Sequence, residues 1–144
     1  MKTITSLFSL ILCLLITGCY EQTPTVDNSP GDTAIAFFDA LYNQNDLQKA
    51  TTMATPRLAR VMKSYGTVSQ VTRTLFNMQF DQVLIEVDMS NMSLRQQYAD
   101  KAQINIIFTG TFNGKKIDDM RSVQLLYKKR NWYVNKILSD PYAR

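Results

Sequence analysis

The sequence predicts an α+β domain in which N-terminal helices pack on one face of a curved antiparallel sheet of about four strands. From Ala34 to Leu75 apolar residues recur at three- and four-residue steps, the spacing of amphipathic helices. From Met78 onward the period changes to two, the spacing of strands. Asn113-Gly114 is the strongest hairpin signal in the chain, so neighbouring strands are expected to be antiparallel.

The first helix is predicted to begin at Pro30. Ser29 supplies a capping hydroxyl, proline suits the first helical position, and Asp32 is the acid of a capping box. The polar run 43–45 should end the helix. Its apolar face is formed by Ala34, Phe37, Phe38, Leu41 and Tyr42.

Three further short helices are predicted. Asp46 can cap the second helix, and Thr67 with Gln70 forms a capping box for the fourth. Because proline lacks an N–H and restricts the residue before it, Thr55 should cap a third helix that begins at Pro56. The third helix is expected to turn inward Leu58, Val61, Met62 and Tyr65.

Four strands should follow the helices. They are expected at 83–89, 102–112, 123–127 and 132–138. Gly110 indicates a bulge or bend within the second strand. The basic tripeptide Lys129-Arg130-Asn131 indicates the last turn, and Trp132 after it should pack on the core.

The first 18 residues have the composition of an export signal. Lys2 precedes an apolar run from Leu7 to Ile16. This run is too short to cross a membrane, which takes roughly 20 apolar residues. It ends in Leu15-Ile16-Thr17-Gly18-Cys19, which resembles the lipobox of bacterial lipoproteins.

That resemblance implies cleavage between Gly18 and Cys19 and acylation of Cys19, so that two or three acyl chains anchor the protein to the membrane. The alternative is a plain secretory signal with an unused cysteine. Residues 19–28 are then the lipidated cysteine and a flexible tether, and residues 29–144 are the domain. In lipoproteins of Gram-negative bacteria, a residue other than aspartate after the lipidated cysteine implies sorting to the outer membrane. Tyr20 occupies that position, so the protein is expected on the outer membrane facing the periplasm rather than on the inner membrane.

Composition excludes several kinds of site. The chain has no histidine, which removes Ser-His-Asp and Cys-His nucleophile systems and the usual zinc sites. Cys13 leaves with the signal, so the mature chain has no pair of thiols for a disulfide. We therefore expect neither metal nor cofactor. A formal net charge of +4 is too small to indicate a nucleic-acid binder.

Four motifs recur in one known family. They are Ala34-x-x-Phe37-Phe38-x-Ala40-Leu41, Asn45-Asp46, Phe112-Asn113-Gly114-Lys115 and a strand that opens at Trp132 after a basic turn. Together they resemble small bacterial lipoproteins with a nuclear transport factor 2-like domain. Asn131 stands where the family usually has glycine, and asparagine can also take a left-handed conformation. The resemblance covers nearly the whole mature chain and implies a cone-like fold.

In that family the open end of the cone can be a ligand pocket. Its lining here would be Phe38, Asp39, Tyr42, Ile104, Ile106, Phe108 and Tyr127, with Asp39 and Tyr42 as the polar pair near the mouth. The alternative is that the aromatic residues simply fill the space. Enzymes that the family includes, such as ketosteroid isomerase-like proteins, use a buried Asp, His or Tyr, and no such motif transfers to this chain.

Basic residues cluster in two places. Arg57, Arg60 and Lys63 stand three apart on one predicted helix, and others crowd the two hairpin turns. They indicate either an anionic partner or ordinary solubilising charge. The sequence therefore predicts a non-enzymatic, membrane-anchored envelope lipoprotein that binds a protein partner or a small apolar ligand. The competing class is a pocket enzyme of the ketosteroid isomerase or dehydratase type.

Overall fold

The computed structural model describes residues 29–89, 97–98 and 100–138. The predicted signal peptide and tether, with Gly18 and Cys19, lie outside the described residues. The helices are α1 (Pro30–Tyr42), α2 (Leu47–Thr52), α3 (Pro56–Tyr65) and α4 (Val68–Gln70), which continues as a π-helical turn (Val71–Leu75). The strands are β1 (Gln82–Val87), β2 (Gln97–Tyr98), β3 (Lys101–Phe112), β4 (Lys115–Lys128) and β5 (Asn131–Leu138). The predicted α+β class, with helices before an antiparallel sheet, is confirmed.

The predicted caps of the first two helices are confirmed. Ser29 Oγ accepts a hydrogen bond from the Asp32 N–H at 3.1 Å, which begins α1. Asp46 accepts one from the Lys49 N–H at 2.8 Å, which begins α2. Thr67 likewise accepts from the Gln70 N–H at 3.2 Å, but the π-helical turn that follows was not predicted.

Thr55 precedes α3 as predicted but does not cap it with its side chain. Its hydroxyl instead donates to Asn135 Oδ1 at 3.3 Å. Asn135 is available because the pairing of β4 with β5 shifts by one residue beside it, which is a β-bulge. The chain before α3 is therefore tied to the last strand.

The same segment covers part of the free edge of β5. Ala54 forms an isolated parallel bridge with Val134. The Val134 N–H donates to the Met53 carbonyl and the Thr55 N–H donates to the Val134 carbonyl, both at 2.8 Å. Three residues between α2 and α3 thus act as a short extra strand.

The long strands lie in the order β1-β3-β4-β5, and β2 pairs with the start of β3. β4 begins at Lys115, eight residues before the strand that the sequence predicted. The two hairpin turns both use left-handed backbone: Asn113 and Gly114 have φ of 52° and 74°, and Lys129 and Arg130 have φ of 50° and 67°. The left-handed residues before Trp132 are thus these two, and Asn131, which could also have taken this conformation, is not among them.

Gly110 does not mark a bulge, because the pairing of β3 with both neighbours runs through it without a shift. A Cβ at this position would collide with the Gln82 carbonyl oxygen of the neighbouring strand and would lie 2.7 Å from the Phe80 ring. The glycine is required because the paired backbone and the aromatic ring together leave no room for a side chain.

The core lies between α1 and one face of the sheet, which we call the inner face. Phe37, Phe38 and Leu41 of α1 are buried against Ile106, Phe108, Val123 and Leu125 of the central strands. Trp132 is also buried, as predicted. Val61 of α3 is not, since 38% of it is exposed, so the expectation that it points inward is wrong. Met62, the next residue of α3, is fully buried, so Val61 lies on the side of the helix that faces away from the core.

Candidate functional site

Six aromatic rings meet on the inner face of the sheet. Phe38 meets Phe108 edge-on with ring centroids 4.9 Å apart, and Phe80 stacks on Phe108 at 6.0 Å. Tyr42 meets Phe80 at 5.4 Å and Phe108 at 6.2 Å. Phe37 and Phe76 extend the cluster. These separations are those of directly packed rings, so aromatic side chains occupy this part of the inner face.

Tyr42 is the polar member of this cluster. Its hydroxyl donates to the Met78 carbonyl oxygen at 2.9 Å. Burial raises the pKa of the phenol, the charge of Asp119 adds to the rise, and Arg121 opposes it. The phenol therefore remains protonated and keeps its hydrogen bond at neutral pH.

Asp119 and Arg121 lie on the same face as this cluster. Arg121 Nη2 donates to Asp119 Oδ2 at 2.8 Å, and the Met120 N–H donates to Asp119 Oδ1 at 2.7 Å. Because the backbone holds the second carboxylate oxygen, Arg121 Nε is left buried without an acceptor among the described residues. The Arg121 side chain is 18% exposed and the Asp119 side chain is 24% exposed. The pair is thus a partly solvated ion pair at the border of the aromatic cluster.

The structure brings together some of the predicted pocket residues and separates others. Phe38, Ile106 and Phe108 are fully buried, and Ile104 packs against the core. Asp39 instead accepts hydrogen bonds from Asn43 and Gln44 at the end of α1. Tyr127 is eight residues from Asp119 along β4, or about 26 Å, and packs on Trp132 at a centroid distance of 5.1 Å.

Asp119 and Arg121 were missed because the strand was predicted to begin only near Val123. The signal that could have located them is the Asn113-Gly114 turn, which pairs Phe112 with Lys115. Counting back from that pair places Phe108 opposite Asp119. Cross-strand partners share a face of the sheet, so the turn alone places Asp119 on the apolar side.

An open groove of about 250 Å³ lies between α3 and β5. It is lined by Arg57, Leu58, Val61, Asn135 and Lys136. Leu58 and Val61 come from α3, whose start is tied to β5 through Thr55 and the parallel bridge at Ala54. The β-bulge at Asn135 changes the path of β5 beside the helix. The groove therefore has apolar side chains from the helix and polar ones from the strand.

The groove has a cationic rim. Arg57 on α3 and Lys136 on β5 are both exposed. Arg60 and Lys63 continue the positive charge along the exposed side of α3. Such a site suits a ligand or partner that combines an apolar part with negative charge.

Comparison with protein-family models gives no match for this chain, and comparison with curated proteins gives none either. In the ranges 29–89 and 100–138, no group of three or more His, Cys, Asp or Glu side chains could hold a metal ion. No described helix has both the length and the apolar character that membrane crossing requires. The candidate site is thus defined by the geometry of the groove and of the closed aromatic cluster beside it.

Proposed function

We propose that the protein is a lipid-anchored lipoprotein of the bacterial envelope whose domain is a non-enzymatic binding module of the nuclear transport factor 2-like kind. The Leu15–Cys19 lipobox and the apolar run before it support the anchor. The order of helices before an antiparallel sheet, with α1 over the inner face, supports the domain type. Its binding partner is a protein or a small apolar ligand.

The observation that carries binding rather than catalysis is the packed aromatic cluster of the inner face. A pocket enzyme needs space for its substrate, and here that space is filled by the side chains of Phe38, Tyr42 and Phe108. The groove between α3 and β5 instead offers an accessible surface with apolar residues and a cationic rim. A surface site of this type fits a binding module better than an enzyme.

The anchor is tested by replacing Cys19 with serine in the full-length chain. We expect the variant to lose incorporation of labelled palmitate and to leave the membrane fraction, because the hydroxyl does not replace the acylated thiol. Cys13→Ser is the matched control, since that residue leaves with the predicted signal. Palmitate labelling that persists in Cys19→Ser would contradict the proposed lipobox.

The groove is tested by photo-crosslinking in intact cells followed by mass spectrometry. A crosslinking amino acid at Val61 should capture a specific partner, whereas the same group at Leu84, which is 58% exposed on β1, should not. Because both positions are accessible, the comparison separates specific binding from random collision. Equal products at the two positions would remove the groove as the binding site.

A pocket enzyme is the second candidate, and one observation favours it. Arg121 Nε is a buried donor without an acceptor among the described residues, and substrate oxygens commonly fill such positions. Against it, Asp119 is already held by Arg121 and Met120, and Tyr42 by Met78. A general base needs a carboxylate that faces the substrate. A substrate oxygen bound to Arg121 Nε would slow the exchange of its proton with water. An exchange rate, measured by NMR, that is the same in cell extract as in buffer would contradict a bound substrate.

A further inference from the structure

The net positive charge of the described domain comes from one continuous segment. From Leu47 to Phe80 the chain carries five Lys or Arg residues and no Asp or Glu. The acidic residues of the described domain lie before this segment, on and after α1, or after it, on and beside the strands. This segment therefore has a net charge of +5, whereas the rest of the described domain has eight Lys or Arg residues and nine Asp or Glu residues, a net charge of −1.

Three of these cations form the exposed side of α3. Arg57, Arg60 and Lys63 are three residues apart, so each is rotated by about 60° from the one before it and together they span about 120° of the helix surface. All three are exposed. Within the described parts of the chain, the salt bridges join Lys116 to Asp118 and Arg121 to Asp119. The three α3 cations therefore have no acidic partner there.

Apolar groups lie directly beside Arg57, the first of these charges, and on the side of α3 away from Lys63. Val61 is four residues after Arg57, is 38% exposed, and forms part of the groove with Leu58. Lys136 adds a cation from the opposite side of the groove. Cations around a shallow apolar site match the arrangement of a phospholipid surface, where phosphates lie above the acyl chains.

The position where the predicted tether enters the domain is close to this surface. A Cβ on Gly31 in the first turn of α1 would lie 3.1 Å from Val87, at the end of β1. Val87 pairs with Ile106 of β3, and Ile106 pairs with Arg121 of β4. The residue after Arg121 is Ser122, which pairs with Leu138 at the end of β5. The chain thus enters level with the end of β5, at the middle of the long strands β3 and β4, two residues beyond Lys136. Three strand spacings separate β1 from β5, or roughly 15 Å.

The length of the tether then limits how far this surface can lie from the membrane. A coil of the ten residues 19–28 has a root-mean-square reach of roughly 15–20 Å. Electrostatic attraction to anionic headgroups extends over about 8 Å at physiological ionic strength. A domain that is held so close touches the membrane repeatedly. Because anionic lipid attracts positive charge, the contacts made by the cationic side last longest.

We propose that the α3 surface, defined by Arg57, Arg60, Val61 and Lys136, docks on the anionic phospholipids of the membrane to which the protein is anchored. This inference rests on the proposed function, because Cys19 supplies the anchor, and it makes phospholipid the occupant of the groove, so that a protein captured at Val61 would contradict it. The cations bind lipid phosphates, and Val61 and Leu58 face the glycerol and upper acyl region. Docking fixes which side of the domain faces the aqueous compartment.

The test places the purified lipidated protein in vesicles of phosphatidylcholine alone or of phosphatidylcholine with phosphatidylglycerol. In the acylated protein Cys19 is blocked, so Val61→Cys introduces a single free thiol for an environment-sensitive fluorophore. We expect lipid-borne quencher to quench this probe in vesicles with phosphatidylglycerol and not in phosphatidylcholine alone. The same probe at Leu84→Cys, on an exposed position outside the α3 surface, should remain unquenched in both.

Charge reversal supplies the second arm of the test. Arg57→Glu with Arg60→Glu and Lys136→Glu should abolish quenching of the Val61 probe. The matched control, Lys115→Glu with Lys116→Glu and Lys129→Glu, changes the net charge equally at the hairpin turns and should leave quenching intact. Circular dichroism checks that both triple variants are folded, and high salt should weaken quenching in the unaltered surface.

Each outcome has a distinct meaning. Protein that fails to remain on phosphatidylcholine vesicles overturns the acyl anchor and thus the proposed function. Protein that remains on both kinds of vesicle, while the Val61 probe stays unquenched, overturns the docking inference alone. Equal quenching at positions 61 and 84, or equal effects of the two triple reversals, also overturns it, because the α3 surface then has no preference for lipid.

Discussion

The aromatic cluster under α1 and the groove beside α3 are both formed by helix and strand side chains, but the first is buried and the second is exposed. Each places helix side chains against the sheet, but Phe38 and Phe108 are fully buried whereas Val61 remains 38% exposed. The difference arises because α1 lies across the sheet, in contact with β1, β3 and β5, whereas α3 lies beside the bulged β5. We infer that the first region determines stability and the second determines what the protein binds, and the following predictions test that division.

The largest effect is expected for Phe108→Ala. The ring is fully buried and contacts Phe38, Tyr42 and Phe80, so its removal leaves a cavity in the cluster. Such truncations typically cost about 3–5 kcal/mol of the free energy of unfolding. Urea denaturation monitored by circular dichroism measures this loss. A variant within about 0.5 kcal/mol of the unaltered protein would show that the cluster is not closely packed.

Arg121→Met is expected to have an intermediate effect. It removes a charge-assisted hydrogen bond from Asp119, which keeps only the Met120 N–H, and about 1–3 kcal/mol should be lost. Lys116→Met is the matched control on the same strand, because its ion pair with Asp118 is exposed at both ends. An exposed pair contributes about 0–1 kcal/mol. Equal losses in the two variants would show that the inner-face pair has no special environment.

Tyr42 predicts a pH dependence of stability. Its pKa in the folded protein is raised above the ordinary value of 10.0, so the folded state favours the protonated phenol. Stability is complete below that value and falls as the pH rises above it, because the unfolded chain then loses the proton first. Denaturation at about pH 8 and about pH 11 should therefore show a smaller decline in Tyr42→Phe. Identical declines in both proteins would indicate that the phenol is solvated.

The smallest effect on stability is expected for Val61→Ala in the groove. Because the side chain is partly exposed, the free energy of unfolding should change by no more than about 0.5 kcal/mol. The same variant should weaken capture of a partner or of phospholipid, since it removes apolar surface from the groove. A large loss of stability would place this residue with the core and would end the distinction between the two regions.

The features that the sequence predicted are those that local chemistry determines. Ser29 and Asp46 cap helices with their own side chains, and Asn113-Gly114 prefers the left-handed backbone that its turn requires. Lys129 and Arg130 have no such preference, and the pairing of β4 with β5 imposes the conformation on them. Local patterns therefore predicted the first turn completely and the second only approximately.

The candidate site was less predictable, for a physical reason. The inward position of Phe38 and Phe108 follows from helical and strand periods, which are local. The exposure of Val61 depends on where α3 lies relative to the edge of β5, which in turn depends on the bulge at Asn135 and the bridge at Ala54. Such contacts join residues about 80 positions apart, as in the hydrogen bond from Thr55 to Asn135, and no local pattern indicates them.

The short segment Met53–Thr55 has a consequence for how copies of the protein behave as neighbours. An uncovered strand edge is a template on which another chain can add a strand. Here the outward N–H and carbonyl of Val134 are already bonded to Thr55 and Met53. If the chain is anchored as proposed, its copies diffuse in two dimensions and collide far more often than they do in free solution. Three residues of covering chain would then block strand addition between neighbouring copies at this point of the β5 edge.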